Sequence, residues 1–513
     1  MKEKDFLRLV KQADRRYFAE AAERAEQVQS TGEEYSMKPK KHKKFLVIAA
    51  LAAALSVGGA TAAVAMRGHN TQNQTTEHEE TTPQQTEKPE IEEQKTLNLH
   101  LTADTGRTLN SAYSSSLSSY DYTESETGWY YRKQLEYEDG TVHHILYYTD
   151  KATGESVPLC THPNCKHDGS LYCTATTDAY NSFNPIWANG SLWAITRKVD
   201  PSLTADSELK YFPSNNQYST AGSHVVVLQI APDGSSIKEV ADLGECSGMT
   251  EPILYRGNLF CYIGRQIGET VTMENEITKN TEYLITAGYE LIAFNIAEKQ
   301  AVTVSSEMPD AGSNKLYSLP EKFCGIGDYI YQNNPQATWQ DPYASGVQRV
   351  SLLTGKTEEL VKTSIPVCSM SENGIVYQNA GSDQVRTYCP DTGEDALLYD
   401  PEKSHSVIYQ SDSKYYYGTE WDKKSETLSA GVYDKEMKLL GSLEIPDHKD
   451  FLGLKAVDGR LYVTTGGTVS ANGDGITHTY DSNAELLSCA VQDIIDGTSE
   501  WKKEVNLCER VSE

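Results

Sequence analysis

The sequence predicts an all-β fold, a β-propeller of about seven blades, preceded by a single transmembrane helix and a short cytoplasmic α-helix. Three observations lead to this prediction: a repeated aromatic strand pattern from residue 128 onward, an uncharged apolar run before it, and a charged amphipathic segment at the start of the chain. The predicted boundaries are 1–44 for the cytoplasmic helix and its Lys-rich end, 45–66 for the transmembrane helix, 67–122 for a disordered acidic linker and 123–513 for the extracellular propeller.

The charge of the chain is unevenly distributed. The formal net charge of the 513 residues is −27, but residues 1–44 hold twelve Lys and Arg against eight Asp and Glu, which leaves −31 for the remainder. A body this acidic repels phosphate backbones, so the composition excludes nucleic acid as a partner of the main domain. The acidity would instead serve solubility or cation binding.

The first segment reads as one amphipathic helix. Its apolar residues recur at steps of three and four and form one stripe on a charged helix: Phe6, Leu9, Val10, Ala13, Tyr17, Ala21, Ala25 and Val28. A helix of this size cannot build its own core. It therefore needs a cytoplasmic protein partner or the membrane surface to cover the stripe.

Residues 45–66 carry no formal charge and form the transmembrane candidate. At about 1.5 Å per residue they span about 33 Å, which exceeds a hydrocarbon core of about 30 Å. A cleaved signal peptide is the alternative, but the preceding segment is far longer than a signal-peptide n-region. Five lysines abut the run on its N-terminal side, at positions 38, 40, 41, 43 and 44. Because positive charge stays inside, the prediction is a cytoplasmic N-terminus and an extracellular C-terminal domain on a single-pass membrane protein.

The segment 67–122 contains few large apolar residues and no clear period, so we predict a solvated linker that holds the outer domain away from the bilayer.

From residue 128 a three-strand theme recurs: a strand with aromatic residues beside a Gly, Asn or Asp turn, a second strand, a polar hairpin turn of the TGE, TGK or DG type, and a third strand. Seven copies are visible, with a spacing that fits four-stranded blades carrying loop insertions. One aromatic position recurs in each copy and is predicted to pack in the core: Trp129, Trp193, Phe260, Tyr331, Tyr377, Tyr417 and Tyr462.

Two long insertions between paired strands, 198–223 and 333–346, are candidate binding loops, because binding residues concentrate on loops held by a rigid scaffold. Trp339 and Tyr343 in the second insertion are the candidate ligand-binding residues, as rings that would stack on a sugar or a peptide. The alternative is that they pack the insertion onto the propeller.

A cysteine cluster follows the first hairpin. Cys160, Cys165, His167 and Cys173 have the spacing C-x4-C-x-H-x5-C, and three thiolates with one imidazole are the ligand set of a closed tetrahedral zinc site. A disulfide between two of the three cysteines is the main alternative, and a Cys/His nucleophile pair is a third. We therefore predict one structural zinc or iron ion at these residues and no other cofactor.

Two resemblances add to this. The turn, aromatic strand and TGE hairpin of each repeat resemble TolB-like and DUF5050-type propellers of surface proteins from clostridia and related Firmicutes, and Pro158, Leu159, Cys160, Pro163, Cys165 and His167 match a PLCxxPxCxH element that accompanies such repeats. Residues 13–26 before the membrane helix resemble the cytoplasmic segments of anti-sigma-factor-like membrane proteins, which implies a cytoplasmic sigma factor as a partner.

The sequence thus favours a membrane-anchored, non-enzymatic binding or sensing module. Its extracellular ligand would be a glycan, a peptide or a protein. A cell-surface hydrolase acting on polysaccharide or peptide is the rival function, and a display scaffold without a small ligand is a third.

Overall fold

The computed structural model describes residues 97–103, 112–113 and 122–511. Within these ranges it leaves out short stretches at 169–172, 179, 182, 199–209, 213–216, 220–223, 247, 275–280, 309–318, 321, 334–344, 364–366, 372–373, 379–383, 400–405, 423, 447–450 and 473–474. The predicted cytoplasmic helix and the predicted transmembrane helix at 45–66 lie outside the described residues. In the described part of the chain, no helix has the length and apolarity needed to cross a membrane.

The described residues form a seven-bladed β-propeller, which confirms the predicted all-β fold and its blade number. The first three blades run from inner to outer strand as follows. Blade 1 contains β2 (Tyr122–Glu124), β3 (Gly128–Tyr137), β4 (Val142–Asp150) and β5 (Ser156–Pro158). Blade 2 contains β6 (Tyr180–Asn181) with β7 (Ile186–Ala188), then β8 (Ser191–Lys198), β11 (His224–Ile230) and β12 (Ile237–Glu245). Blade 3 contains β13 (Gly248–Met249) with β14 (Ile253–Tyr255), then β15 (Asn258–Glu274), β16 (Thr281–Asn295) and β17 (Gln300–Glu307).

The other four blades follow in chain order. Blade 4 contains β18 (Lys322–Ile326), β19 (Tyr329–Asn333), β20 (Ser345–Ser351) and β21 (Thr357–Thr363). Blade 5 contains β22 (Val367–Ser371), β23 (Gly374–Gln378), β24 (Val385–Tyr388) and β25 (Asp395–Tyr399). Blade 6 contains β26 (Ser406–Ser411), β27 (Tyr416–Asp422), β28 (Thr427–Tyr433) and β29 (Leu439–Glu444). Blade 7 contains β30 (Gly453–Val457), β31 (Arg460–Asn472), β32 (Gly475–Ala490), the helix α1 (Val491–Asp496) and β33 (Lys502–Asn506).

Three further pieces attach to these blades. The two-residue strand β1 (Ala112–Tyr113) pairs with β18, and β9 (Lys210–Phe212) pairs with β10 (Gln217–Ser219) in an insertion of blade 2. The last strand, β34 (Cys508–Val511), pairs in parallel with the C-terminal half of β3. The end of the chain therefore closes the ring onto blade 1.

The repeated aromatic strand of the sequence is the second strand of each blade. All seven recurring aromatic residues are buried, with between 0% and 4% of their surface exposed, as predicted. The turn that leads into this strand takes a left-handed conformation in several blades. In blade 2, for example, Asn189 and Gly190 have φ of 50° and 71°, as a two-residue type I′ hairpin turn requires.

Part of the segment predicted as linker belongs to the folded domain. Leu97, Leu99 and Leu101 are half-buried against the core of blades 3 and 4, whereas Asn98 and His100 between them are exposed. Backbone bonds fix both ends: the Leu97 N–H donates to the Leu353 carbonyl at 2.8 Å, and the Thr102 N–H donates to the Arg256 carbonyl at 3.1 Å. We call residues 97–103 the strap. The predicted disordered linker therefore does not extend through these residues.

Candidate metal centre and central cavity

The structure brings all four predicted metal ligands together. One ligand atom from each of Cys160, Cys165, His167 and Cys173 lies within 4.8 Å of the other three. The sulfur of Cys173 is 3.5 Å from Nδ1 of His167. Donor atoms around a tetrahedral ion with bonds of about 2.3 Å are about 3.8 Å apart, so the group needs only small movements to close on zinc or iron. No disulfide joins the three cysteines of the group in this structure, and His162 is not part of the group.

The ligand loop is an excursion from the outer edge of blade 1. The loop follows β5, and both of its ends bond to one residue of β4, Leu146. The Leu159 N–H donates to the Leu146 carbonyl, and the Leu146 N–H donates to the Ala175 carbonyl, both at 2.8 Å. Within the loop, Asn164 and His167 take left-handed φ of 60° and 54°. Asn and His adopt this conformation more readily than most residues, and it turns the backbone sharply within the loop.

The pKa shifts of His167 and Cys160 favour metal binding, whereas that of Cys173 opposes it. Burial lowers the pKa of His167, with Asp168 opposing, which keeps the imidazole neutral as a ligand must be. For Cys160, burial raises the pKa, but hydrogen bonds from Thr174, the His162 backbone and Cys165 outweigh it and bring the pKa to about 7. Burial raises the pKa of Cys173 to about 12. A bound cation would offset that penalty by stabilising the thiolate.

One residue links this loop to the ring closure. Tyr137 is the last residue of β3 and pairs with Val511 of β34, and its hydroxyl donates to the His167 carbonyl at 2.9 Å. Its ring also meets His143 edge-on with centroids 5.6 Å apart. The ligand loop therefore rests directly on the joint where the C-terminal strand is added. Sequence reasoning did not single out Tyr137, because nothing local connects it to the loop.

A second candidate site is a cavity of about 380 Å³ between the inner strands of blades 1, 2, 3 and 7. We call it the central cavity. Aromatic rings, carboxylates and cationic groups line it together, among them Tyr122, Trp187, Glu124, Glu126, Glu251 and Lys455. It lies at the end of the propeller that carries the turns between first and second strands. Two of the buried packing residues, Trp129 and Tyr462, also form part of its wall.

Two of the cavity carboxylates are held by donors. Glu124 accepts from Lys151 at 2.6 Å with one oxygen and from the Tyr462 hydroxyl at 3.3 Å with the other. Glu126 accepts from the Trp187 indole N–H at 3.1 Å. These contacts join blade 1 to blades 2 and 7, so the two carboxylates shape the cavity as well as lining it.

Lys455 is the half-buried cation of this cavity. Burial lowers its pKa to about 8, and the charge of Glu251 only partly opposes this. The amine of Lys455 therefore loses its proton at a lower pH than a lysine with the ordinary pKa of about 10.4.

We expect Lys455 to be acylated first when the full-length protein is treated with a limiting amount of an N-hydroxysuccinimide ester at pH 8. Peptide mass spectrometry after short exposure measures the order of labelling. Lys502 is the control, since its side chain is 64% exposed and lies outside the cavity. Labelling of Lys455 no faster than of Lys502 would contradict the expectation.

The candidate ligand-binding residues Trp339 and Tyr343 lie outside the described residues, so the prediction for them stays a prediction. The central cavity was not predicted. Its residues come from four blades, and no single stretch of sequence carries more than a part of it.

Comparison with known proteins shows likeness in fold. No family model matches the chain, and no curated protein matches it. Among solved structures, acylaminoacyl peptidase from Pyrococcus horikoshii is 12% identical with a TM-score of 0.43, over 80% of this chain and 54% of that one. The β-propeller domain of the Trilobed protease from Pyrococcus furiosus is 12% identical with a TM-score of 0.40, over 79% of this chain and 98% of that one.

TolB from Acinetobacter baumannii is 9% identical with a TM-score of 0.32, over 76% of this chain and 79% of that one. This chain covers only about half of the length of the Pyrococcus horikoshii peptidase. At these identities the likeness concerns propeller architecture alone and carries no argument about activity. The described residues form a seven-bladed β-propeller.

Proposed function

We propose that this protein is a membrane-anchored extracellular propeller that binds a ligand without chemical turnover and acts as a sensing module. The central cavity is the observation that carries the proposal. An ion pair with Lys151 and a hydrogen bond from Tyr462 fix Glu124 in the wall of the cavity, and the Trp187 indole fixes Glu126. Polar groups fixed in this way support a preformed binding site.

Membrane attachment is supported by the apolar run 45–66 and the lysines before it. The proposal places residues 1–44 in the cytoplasm and the propeller outside. Protease treatment of intact cells tests this: we expect the propeller to be digested and an epitope fused to the N-terminus to be protected. Protection of both ends would overturn the proposed topology.

Signalling to a cytoplasmic sigma factor is supported by the resemblance of residues 13–26. Purification of the full-length protein from cross-linked membranes tests it. We expect a sigma factor to co-purify and to be lost when residues 13–26 are replaced by a Gly/Ser sequence of equal length. Recovery of the protein from membranes without any sigma factor would count against this part of the proposal.

We propose further that the Cys160, Cys165, His167 and Cys173 cluster binds one structural zinc or iron ion. The four ligands would close the coordination shell and leave no open position for substrate, so the ion would serve as a cross-link within the loop. Metal analysis of protein purified without oxygen tests this, with one ion per chain expected.

A ligand screen with the full-length protein in detergent tests the binding function. We expect a glycan or peptide ligand to bind, to slow acylation of Lys455 and to be recovered intact after prolonged incubation. Binding that leaves Lys455 labelling unchanged would place the ligand elsewhere.

A cell-surface hydrolase is the second candidate, and four carboxylates that line the cavity favour it: Glu124, Glu126, Glu251 and Asp458. Paired carboxylates are the machinery of glycoside hydrolysis. The same incubations decide between the two functions. Cleavage products formed by the protein and lost in Glu251→Gln would establish a hydrolase and overturn the non-enzymatic proposal.

A further inference from the structure

We propose that the central cavity binds a short uncharged saccharide of one or two sugar rings. This inference rests on the proposed binding function and names the ligand class of that site. The size of the cavity, its partly exposed aromatic rings and its arrangement of charges point to this class.

The size limits the ligand to a small molecule. A volume of about 380 Å³ lies near the lower end of the range of about 300–1,000 Å³ that small-molecule sites occupy. The cavity is lined by strands of four blades and by the turns and connections beside these strands, so its wall is built on the sheet framework. A folded protein domain cannot enter such a space, whereas one or two sugar rings fit.

The aromatic rings offer flat apolar surfaces at fixed positions. Trp187 is half-buried, with one side stacked on Tyr130 at a centroid distance of 5.3 Å and an interplanar angle of 13°. Tyr122 is also half-buried and packs edge-on against Trp129 at 6.0 Å. A hydrogen bond connects the strand of Trp187 to the strand of Tyr122, because the backbone N–H of Trp187 donates to the Thr123 hydroxyl at 3.1 Å. The C–H faces of a sugar ring bury apolar area on such surfaces at little cost in side-chain entropy.

The charges disfavour anions. Four carboxylates face three cationic groups in the lining, and Lys151 is already paired with Glu124. The surrounding domain is strongly acidic as well. Phosphorylated ligands and uronic acids would therefore meet a repulsive field.

A cationic peptide would also be a poor fit. It would gain less at Glu124, because the charge of that carboxylate is already paired with Lys151. A hydroxyl group needs no unpaired charge to bind, since each carboxylate oxygen has a second lone pair that accepts a further hydrogen bond. Carboxylates that already have donors thus remain good acceptors for sugar hydroxyls.

Isothermal titration calorimetry on the full-length protein in detergent tests the inference. The uncharged probes are cellobiose, maltose, lactose and diacetylchitobiose. The charged probes are digalacturonic acid, chitobiose and the peptide Lys-Ala-Ala. We expect at least one uncharged disaccharide to bind and to quench tryptophan fluorescence. We expect the charged probes to bind at least about tenfold more weakly or not at all.

Substitutions at Trp187 locate the site. Trp187→Leu is expected to weaken binding by at least about tenfold, because it removes the flat ring, whereas Trp187→Phe keeps a ring on Tyr130 and should stay within about threefold. Trp501→Phe is the matched control, since the Trp501 indole N–H donates to the Glu444 carbonyl outside the cavity. Thermal unfolding shows that each variant is folded.

Each other outcome overturns the inference in a distinguishable way. If no uncharged probe binds, or if binding is unaffected by Trp187→Leu, the saccharide assignment is wrong. If Lys-Ala-Ala binds and depends on Trp187, the ligand class is wrong but the proposed binding function stands. If a probe is cleaved, the non-enzymatic function itself fails.

Discussion

Loss of the proposed metal ion is expected to loosen the closure of the propeller. Cys173→Ser, or treatment with a chelator, should abolish metal binding, because Cys173 is only 2% exposed and a serine hydroxyl is a poor replacement for a thiolate ligand. At free zinc about 1,000-fold above Kd, the linked loss of stability is about 4 kcal/mol. Thermal unfolding with and without zinc, together with metal content per chain, measures the effect.

The loss of stability should appear first where β34 pairs with β3, beneath the ligand loop. Tyr137 donates to the His167 carbonyl, and the Gln134 N–H donates to the Leu507 carbonyl at 2.9 Å where β34 meets β3. We expect hydrogen exchange to accelerate at the amides of 134–137 and 508–511 when the metal is removed. Amides of β23 in blade 5 should keep their exchange rates, since that blade is distant in the ring.

Cys389→Ser is the matched control, as a half-buried free cysteine outside the cluster. It should bind the full amount of metal and show unchanged exchange at β34. Free-thiol titration separates the metal from the disulfide alternative. Absence of metal, with two of the three clustered thiols oxidised even in protein handled without oxygen, would contradict the metal centre.

The second large effect is expected at the strap. Replacing both Leu99 and Leu101 by Ser should lower the free energy of unfolding by about 2 kcal/mol, because each half-buried leucine contributes about half of the roughly 2 kcal/mol that complete burial supplies. Urea unfolding of the full-length protein measures the loss. Fragments that begin at residue 123, the predicted start of the propeller, should be less stable than fragments that begin before Leu97.

Two substitutions in the same strap serve as controls. Asn98→Ser changes an exposed residue, and His100→Ala removes only an exposed contact with Glu298 at 2.7 Å. Exposed ion pairs contribute about 0–1 kcal/mol, so both variants should unfold at nearly the wild-type urea concentration. Equal losses from the controls and from the leucine variant would show that the strap does not depend on its apolar face.

The repeated strands could be predicted because their signal is local. Alternation of aromatic and β-branched residues, bounded by a turn glycine, marks a half-buried strand within a few residues. The burial of Tyr131, Trp193 and Phe260 follows from that pattern. Three of the inner strands escaped prediction because they are short: β2, β7 and β14 have three residues each, too few for any period to show.

The sequence of the strap contains a strand pattern that the predicted linker does not reflect. Leu97, Leu99 and Leu101 alternate with polar residues, which is the pattern of a strand with one buried face. The acidic segment before it dominated the composition of the predicted linker. The alternation could not show which residues cover the leucines, because the groove between blades 3 and 4 exists only once both blades are folded.

By itself, the sequence determined the seven repeats, their buried aromatic positions and the four residues of the cysteine cluster, since each of these depends on neighbours close along the chain. The tertiary structure decided which distant residues meet. It placed Tyr137 under the ligand loop, paired β34 with β3 and joined Glu124, Trp187 and Lys455 in one cavity. The physical reason is distance along the chain: the residues that meet are separated by whole blades, and blade 7 reaches blade 1 only when the last strand is docked on the first blade.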